Sequence, residues 1–331
     1  MRALLARFPR LAASLPLAPL HLRETPVETW HVDGATVLIK RDDLDTPLLG
    51  GNKARALELL LAYADPSRPL LTVGATGSTH ALSVARHGAA LGLRTRVITW
   101  PQETHVVADA TAVRMRELAD VTPARSVLGA FVRATWRRAT RRVHWIPAGG
   151  STPLGALGHV DAALELVDQL ARDGAEMPDD IVLPLGSGGT TAGLLVGLAV
   201  AGVRTRLLGV RVVPRLVANR RHVLRLARRA RSLLESLASV SLPPLDDSLL
   251  IIEHGAFGGA YGRETPQARH AADLLREAGG PPLDGTYSAK AFAVALERAQ
   301  RSPDERVLFW LTFDGRWLAA PHASTTSPTA R

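Results

Sequence analysis

Three of the forty basic residues in this 331-residue chain are lysines, Lys40, Lys53 and Lys290; the rest are arginines. Such a skew reads as replacement of lysine by arginine wherever only positive charge matters, which makes each surviving lysine a candidate for chemistry. A guanidinium stays protonated, whereas an amine has an adjustable pKa and can condense with a carbonyl. Lys53 is the most telling. It follows Gly50-Gly51-Asn52 and opens a predicted helix, where the helix dipole disfavours a cation and helps release its proton. An exposed lysine beside a turn capped by Asn52 explains the same residues without function. Lys290, in the first turn of another predicted helix, reads as structural or peripheral.

A second group suits an anion. After the apolar run Ile181–Leu185 comes Gly186-Ser187-Gly188-Gly189-Thr190-Thr191-Ala192-Gly193, opening a small-residue helix. Close backbone approach, free N–H groups and two threonine hydroxyls make a phosphate cradle. It lacks the Gly-Lys-Ser/Thr of a nucleotide triphosphatase loop and the third glycine of a dinucleotide fingerprint. Leu185 stands where a nucleophile elbow around Ser187 needs glycine. A tight turn packing helix on sheet is the alternative. Gly74-Ala75-Thr76-Gly77-Ser78-Thr79-His80 offers hydroxyls, an imidazole and helix-start amides to a carboxylate, although Ser78 as a helix cap explains it equally. Two of the three tyrosines precede helices: Tyr261 within Gly255–Gly262, and Tyr287 in Tyr287-Ser288-Ala289-Lys290. No histidine pair at ligand spacing has an acidic companion, so no metal site is expected.

These groups need a frame. Strands are predicted at Val37–Lys40, Leu70–Ala75, Arg94–Trp100, His144–Ala148, Ile181–Leu185, Leu207–Val213, Leu249–Glu253 and Val307–Thr312. Helices are predicted at Asn52–Ala64, Thr79–Leu91, Asp109–Leu118, Leu157–Arg172, Thr191–Ala201, Pro266–Glu277 and Ala289–Arg301. The alternation argues for an α/β architecture with mainly parallel sheets flanked by helices. Ligands in such folds bind beyond the carboxyl ends of strands, where the glycine loops fall.

Composition narrows the classes. At 46% apolar and 21% charged residues, the chain can bury a sizeable core, and its length suits two domains. The absence of cysteine excludes disulfides, iron–sulfur clusters and cysteine nucleophiles. The longest uncharged apolar stretch, Thr191–Gly202, is short of the roughly 20 residues a bilayer span requires. Arg7, Pro9 and Arg10 break up the apolar start, which reads as cytoplasmic rather than a secretory leader. The net charge of +9 raises nucleic-acid binding, but Arg221, Arg225, Arg228 and Arg229 share the outer face of an amphipathic helix without interleaved aromatics. Neither nucleic-acid nor membrane partners are expected. The segment 320–331, rich in Ser, Thr and Pro, reads as a disordered tail.

In order, these motifs resemble the fold-type II pyridoxal-phosphate enzymes, with a likeness to tryptophan synthase β. Within them the chain is similar to the D-cysteine desulfhydrase and 1-aminocyclopropane-1-carboxylate deaminase group. Ile39-Lys40-Arg41-Asp42-Asp43-Leu44 with Gly50-Gly51-Asn52-Lys53-Ala54-Arg55 looks like the signature around that group's cofactor lysine. The resemblance makes Lys53 the anchor of pyridoxal phosphate. It makes Asn52, Thr79, Gly186, Ser187, Gly188, Gly189, Thr190, Thr191 and Ser288 its further contacts, with Ser288 on the ring nitrogen. Ser78, Thr79, His80, Tyr261 and Thr312 would bind substrate, and Ser78 and Tyr287 would join Lys53 in catalysis. It also implies a homodimer. The large domain would comprise 1–48 and 154–319, with a small inserted α/β domain at 49–153.

Two departures stand out. Thr79 replaces the group's asparagine, and Ala56 replaces a second lysine. Ser288 and Thr312, in Phe309-Trp310-Leu311-Thr312, resemble the desulfhydrases rather than the deaminases, although Phe313-Asp314 is atypical. The expected reaction is β-elimination from a small D-amino acid, foremost D-cysteine to pyruvate, sulfide and ammonia. The alternatives are a cyclopropane deaminase or other lyase, and a pyridoxal-phosphate-binding protein of little activity.

Overall fold

The computed structural model describes residues 2–103 and 106–315. The expected tail at 320–331 lies outside them. Among the described residues ten strands form two sheets: β1 (Val27–Val32), β2 (Ala35–Arg41), β3 (Leu70–Ala75), β4 (Thr95–Trp100), β5 (Asp120–Pro123), β6 (His144–Trp145), β7 (Asp180–Leu185), β8 (Arg206–Arg211), β9 (Leu250–Glu253) and β10 (Val307–Leu311). One sheet has six strands in the order β1-β2-β10-β7-β8-β9; the other has four, β5-β4-β3-β6, all from between Leu70 and Trp145. Every ladder is parallel except the β1–β2 edge hairpin.

The helices are α1 (Arg2–Arg7), α2 (Leu11–Ser14), α3 (Asn52–Leu60), α4 (Thr79–Ala90), α5 (Val106–Leu118), α6 (Val127–Thr140), α7 (Pro153–Arg172), α8 (Gly189–Ala201), α9 (Arg220–Ala238), α10 (Pro266–Glu277) and α11 (Ser288–Arg301). Among the described residues none is long and apolar enough to cross a membrane. Strand alternation sorts the large sheet's side chains into two cores. Ile181, Leu183 and Leu185 join residues of α7, α8 and α9, while Val182 and Phe309 join those of α10 and α11. In the small sheet, Leu71 and Val73 meet Ala130 and Ala134 of α6, while Leu70 meets Leu57 and Leu60 of α3. Burial on both faces explains why β3 and β7 are wholly buried, as parallel strands covered by helices require.

Three arrangements fix the start of α3, and so Lys53. First, Gly50 and Gly51 press against other backbone: an added Cβ would lie 2.0 Å from the Asp43 carbonyl oxygen and 2.3 Å from that of Thr312, respectively. Gly51 sits at φ +121° and bridges Phe313, and the Asn52 N–H donates to the Thr312 carbonyl at 3.0 Å. Second, Gly155 and Gly158 let α7 lie close to this region; a Cβ on Gly158 would meet the Arg55 carbonyl oxygen at 2.2 Å. Third, a buried ionic network ties α3 to both sheet and α7. Arg55 contacts Asp42 at 2.7 Å and Glu165 at 3.0 Å, Lys40 contacts Glu165 at 2.7 Å, and the Trp310 indole donates to Asp42 at 2.8 Å. Arg55 and Lys40 draw Glu165 down to about 2 against the opposing effect of burial.

The elements depart from expectation in specific places. Edge strands β1 and β5, and helices α1, α2 and α6, were not foreseen. Helix α7 begins at Pro153, because Gly155 and Gly158 serve packing rather than a loop, and β6 is only two residues before a turn at Ala148–Gly150. The arginine-rich helix is amphipathic as expected, burying Val223, Leu226, Ala227, Ala230 and Leu234.

Candidate active site

The carboxyl ends of β3, β4, β7, β8 and β10 converge on a cleft of about 540 Å³ between the two sheets, a size typical of ligand sites. Lys53 lines it together with Ser78, Thr79, His80, the whole Gly186–Thr191 loop, Tyr261, Tyr287 and Thr312. Residues scattered over 259 positions therefore meet in one place.

A two-step hydrogen-bond relay joins the lysine to the glycine loop. Lys53 Nζ donates to Asn52 Oδ1 at 2.9 Å, and Asn52 Nδ2 donates to Thr190 Oγ1 at 2.7 Å. Asn52 is therefore no helix cap; Gly51 holds that position without a side-chain bond. Burial, opposed by the nearby Asp284 carboxylate, brings the Lys53 amine down to about 8. The sequence suggested the helix dipole as the cause; the structure adds desolvation by burial.

The glycine loop is shaped for an anion. Gly188 caps α8 at φ +86°, and a Cβ on Gly189 would lie 2.7 Å from Ser151 Oγ. The first turn of α8 has N–H groups without intrahelical acceptors. Thr191 Oγ1 is buried with no hydrogen-bond partner, although the residue lines the cleft. A buried unpaired hydroxyl beside a helix N-terminus is what a phosphate would satisfy. Ser151, which the sequence did not single out, braces the loop by donating to Ser187 Oγ at 2.7 Å and accepting from the Gly189 N–H at 3.1 Å.

Opposite lies the small-sheet loop. Ser78 caps α4, its Oγ accepting the Ala81 N–H at 3.2 Å. The capping and ligand readings are compatible, because a hydroxyl that accepts at one lone pair still has its proton to donate. Gly74 permits this approach: a Cβ there would lie 2.5 Å from Ser78 Oγ. His80 Nε2 pairs with Thr72 Oγ1 at 3.1 Å, and burial plus the Lys53 charge depress its pKa to about 3. It faces the cleft as a neutral imidazole.

The two tyrosines form a pair, Oη to Oη 2.6 Å, with edge-on rings. Burial lifts Tyr261 to about 12 and raises Tyr287 as well. Both stay protonated at neutral pH. One proton is shared within the pair, which leaves the other for the cleft.

Ser288 stands apart from the other expected residues. It is wholly buried and absent from the cleft lining, and its hydroxyl donates to Asp284. Asp284 also accepts the backbone N–H groups of Thr286, Tyr287 and Ser288, a role hidden from the sequence. Lys290 is not peripheral: it is fully buried and donates to the Phe257 carbonyl at 2.9 Å. No metal cluster of His, Cys, Asp and Glu occurs among the described residues.

The pyridoxal-phosphate-dependent enzyme family model matches residues 18–312. The chain belongs to that family. Its curated relatives include the nocardicin C-9′ epimerase of Nocardia uniformis subsp. tsuyamanensis, 36% identical over 90% of this chain and 93% of that protein. The D-cysteine desulfhydrase of Klebsiella pneumoniae is 34% identical over 88% and 89%, respectively. A crystal structure described as an ACC deaminase homologue superposes with a TM-score of 0.76 at 27% identity, covering 96% of this chain and 99% of that one. The family's cofactor is pyridoxal phosphate, and the unpaired Thr191 hydroxyl, the open α8 N-terminus and the desolvated Lys53 amine fit its phosphate and aldehyde.

Proposed function

We propose that this family member catalyses β-elimination from a D-amino acid, D-cysteine being the simplest substrate. The observation that carries the reading is the relay from Lys53 through Asn52 to Thr190, which sets a desolvated amine beside an anion cradle and opposite Ser78. Pyridoxal phosphate, when bound, supplies the aldehyde that captures the substrate amine and a ring that accepts the electron pair left at Cα.

The chain's own residues do the rest. Gly186–Thr191 and the start of α8 hold the phosphate. Ser78 donates to the substrate carboxylate, with Thr79 and the neutral His80 beside it. Lys53, whose amine burial brings down to about 8, removes the α-proton in its neutral form; general-base action of this kind contributes about 10²–10⁴-fold. The tyrosine pair offers its unshared proton to the departing sulfur, and Thr312 closes the wall behind it. With one water consumed, D-cysteine yields pyruvate, ammonia and hydrogen sulfide. The Ser288 proton is committed to Asp284, so toward a ring nitrogen Ser288 would offer lone pairs rather than a proton.

Epimerisation at Cα is the second reading, favoured by the 36% identity to an epimerase. It uses the same deprotonation but returns a proton to the opposite face. Incubation with D-cysteine separates the two. Elimination predicts equimolar sulfide and pyruvate, whereas solvent deuterium at Cα and loss of optical activity without sulfide would replace it with epimerisation.

A further inference from the structure

The cleft changes character from floor to mouth. Its buried floor is polar: Asn52, Ser78, Thr190 and Thr191 are each less than 8% exposed. Val127 and Val217 line the same cleft yet are each 49% exposed, which places them at its rim. Val127 opens α6, next to Trp100 and Pro101 at the end of β4. Val217 follows Val213 and Pro214 beyond the end of β8. The mouth therefore has two apolar lips, one from each sheet. Phe131 continues the first by stacking on Trp100, centroids 5.9 Å apart, and Leu216, 95% exposed, extends the second.

One charge that lines the mouth is already paired. Glu103, the acidic residue lining it, is held by Arg263 through contacts of 2.5 and 3.2 Å. A second carboxylate or ammonium on the substrate would find no unpaired counter-charge in that pair. Large exposed apolar residues are unremarkable singly, but opposed across the opening of a reactive cleft they mark a binding surface.

We propose that the substrate is a D-amino acid carrying an uncharged, apolar extension beyond Cβ, which lies between the lip of Trp100, Pro101 and Val127 and the lip of Val213, Pro214 and Val217. The inference rests on the reading of Lys53 and the polar floor as the reactive site. A bare thiol would be handled entirely on that floor and would leave both lips in water; an S-alkyl or S-aryl group would cover them. The extension is then either the leaving group in elimination or the retained side chain in epimerisation.

The test compares D-cysteine with S-methyl-, S-propyl- and S-benzyl-D-cysteine in the cofactor-loaded enzyme, and D-alanine with D-phenylalanine in binding followed by visible absorption. Each methylene covered by the lips is worth about fourfold, so kcat/KM should climb at least tenfold from the methyl to the benzyl compound. D-Phenylalanine should bind at least tenfold more tightly than D-alanine. Val127→Asp and Val217→Asp, at exposed positions where folding is not at stake, should shrink both ratios tenfold or more. Ratios that stay flat, or that ignore these substitutions, overturn the proposal. A sedimentation change in Val217→Asp with unaltered ratios would assign the lips to a second copy of the chain and overturn it likewise. If no amino acid exchanges its α-proton with solvent deuterium, the reading of Lys53 itself fails, and this inference goes with it.

Discussion

Lys40 and Lys53 are thirteen residues apart and both lose basicity through burial, yet their surroundings are opposite. Lys40 is fully buried, and its three protons meet three acceptors: the Thr25 carbonyl at 2.6 Å, Glu165 at 2.7 Å and Gln169 at 3.0 Å. Lys53 faces a cleft and makes one hydrogen bond among the described residues, to Asn52. An ammonium has three donors to satisfy, so the first amine is finished and the second is waiting. The same contrast extends to the carboxylates and hydroxyls around each. Asp42 and Glu165 are saturated by Arg55, Lys40 and Trp310, whereas Thr191 Oγ1 is buried without a partner. Burial of charge marks both regions; an amine short of acceptors and a hydroxyl without one mark the site.

Exchanging the roles of the two amines should give the largest effects. Lys53→Ala should lower turnover by at least the ~10²–10⁴-fold of general-base catalysis while leaving the thermal midpoint within a few degrees. Lys40→Met should do the reverse. Removing one partner of a buried pair costs about 3–5 kcal/mol, read by chemical denaturation, while cofactor still loads on Lys53. Thr191→Val removes only the unpaired hydroxyl. Hydrogen bonds to charged groups contribute about 1.5–3 kcal/mol, so cofactor affinity should fall roughly 10- to 100-fold without loss of stability.

Two pH titrations sharpen the contrast with smaller signals. Glu165 has a folded pKa near 2 against an ordinary 4.5, so the unfolded chain binds more protons between those values. Its contribution to stability is complete above pH 4.5 and is lost as the pH falls towards 2. Denaturation at stepped pH should show that loss in the native chain and a weaker one in Lys40→Met. In the cofactor-free protein, Lys53 should acylate with a midpoint near pH 8 rather than 10.5, while Lys40 and Lys290, both fully buried, stay unlabelled until the chain unfolds. A protected Lys53 would erase the distinction.

Much of this was legible before any coordinates. Rare lysines in an arginine-rich chain, and glycines flanking the ends of apolar strands, are local signals, and they led to Lys53 and Gly186–Thr191. The long-range partnerships were not local. Glu165 lies 125 residues from Lys40, and nothing in its neighbourhood marks it as the charge that balances two cations. Nothing local singles out Asp284, and only the fold brings it near Lys53 and ties up Ser288. Strands β1 and β5 escaped notice because edge strands are half exposed and carry a weak apolar pattern. Helix α6 was hidden by its arginines, and with it Val127 at the mouth of the cleft.

Reduction of the cofactor-loaded protein with borohydride, then proteolysis and mass spectrometry of the lysine peptides, puts the distinction between the amines to the most direct trial. The account predicts a single pyridoxyl adduct, on Lys53. An adduct on Lys40 or Lys290, or none on any of the three, would contradict it.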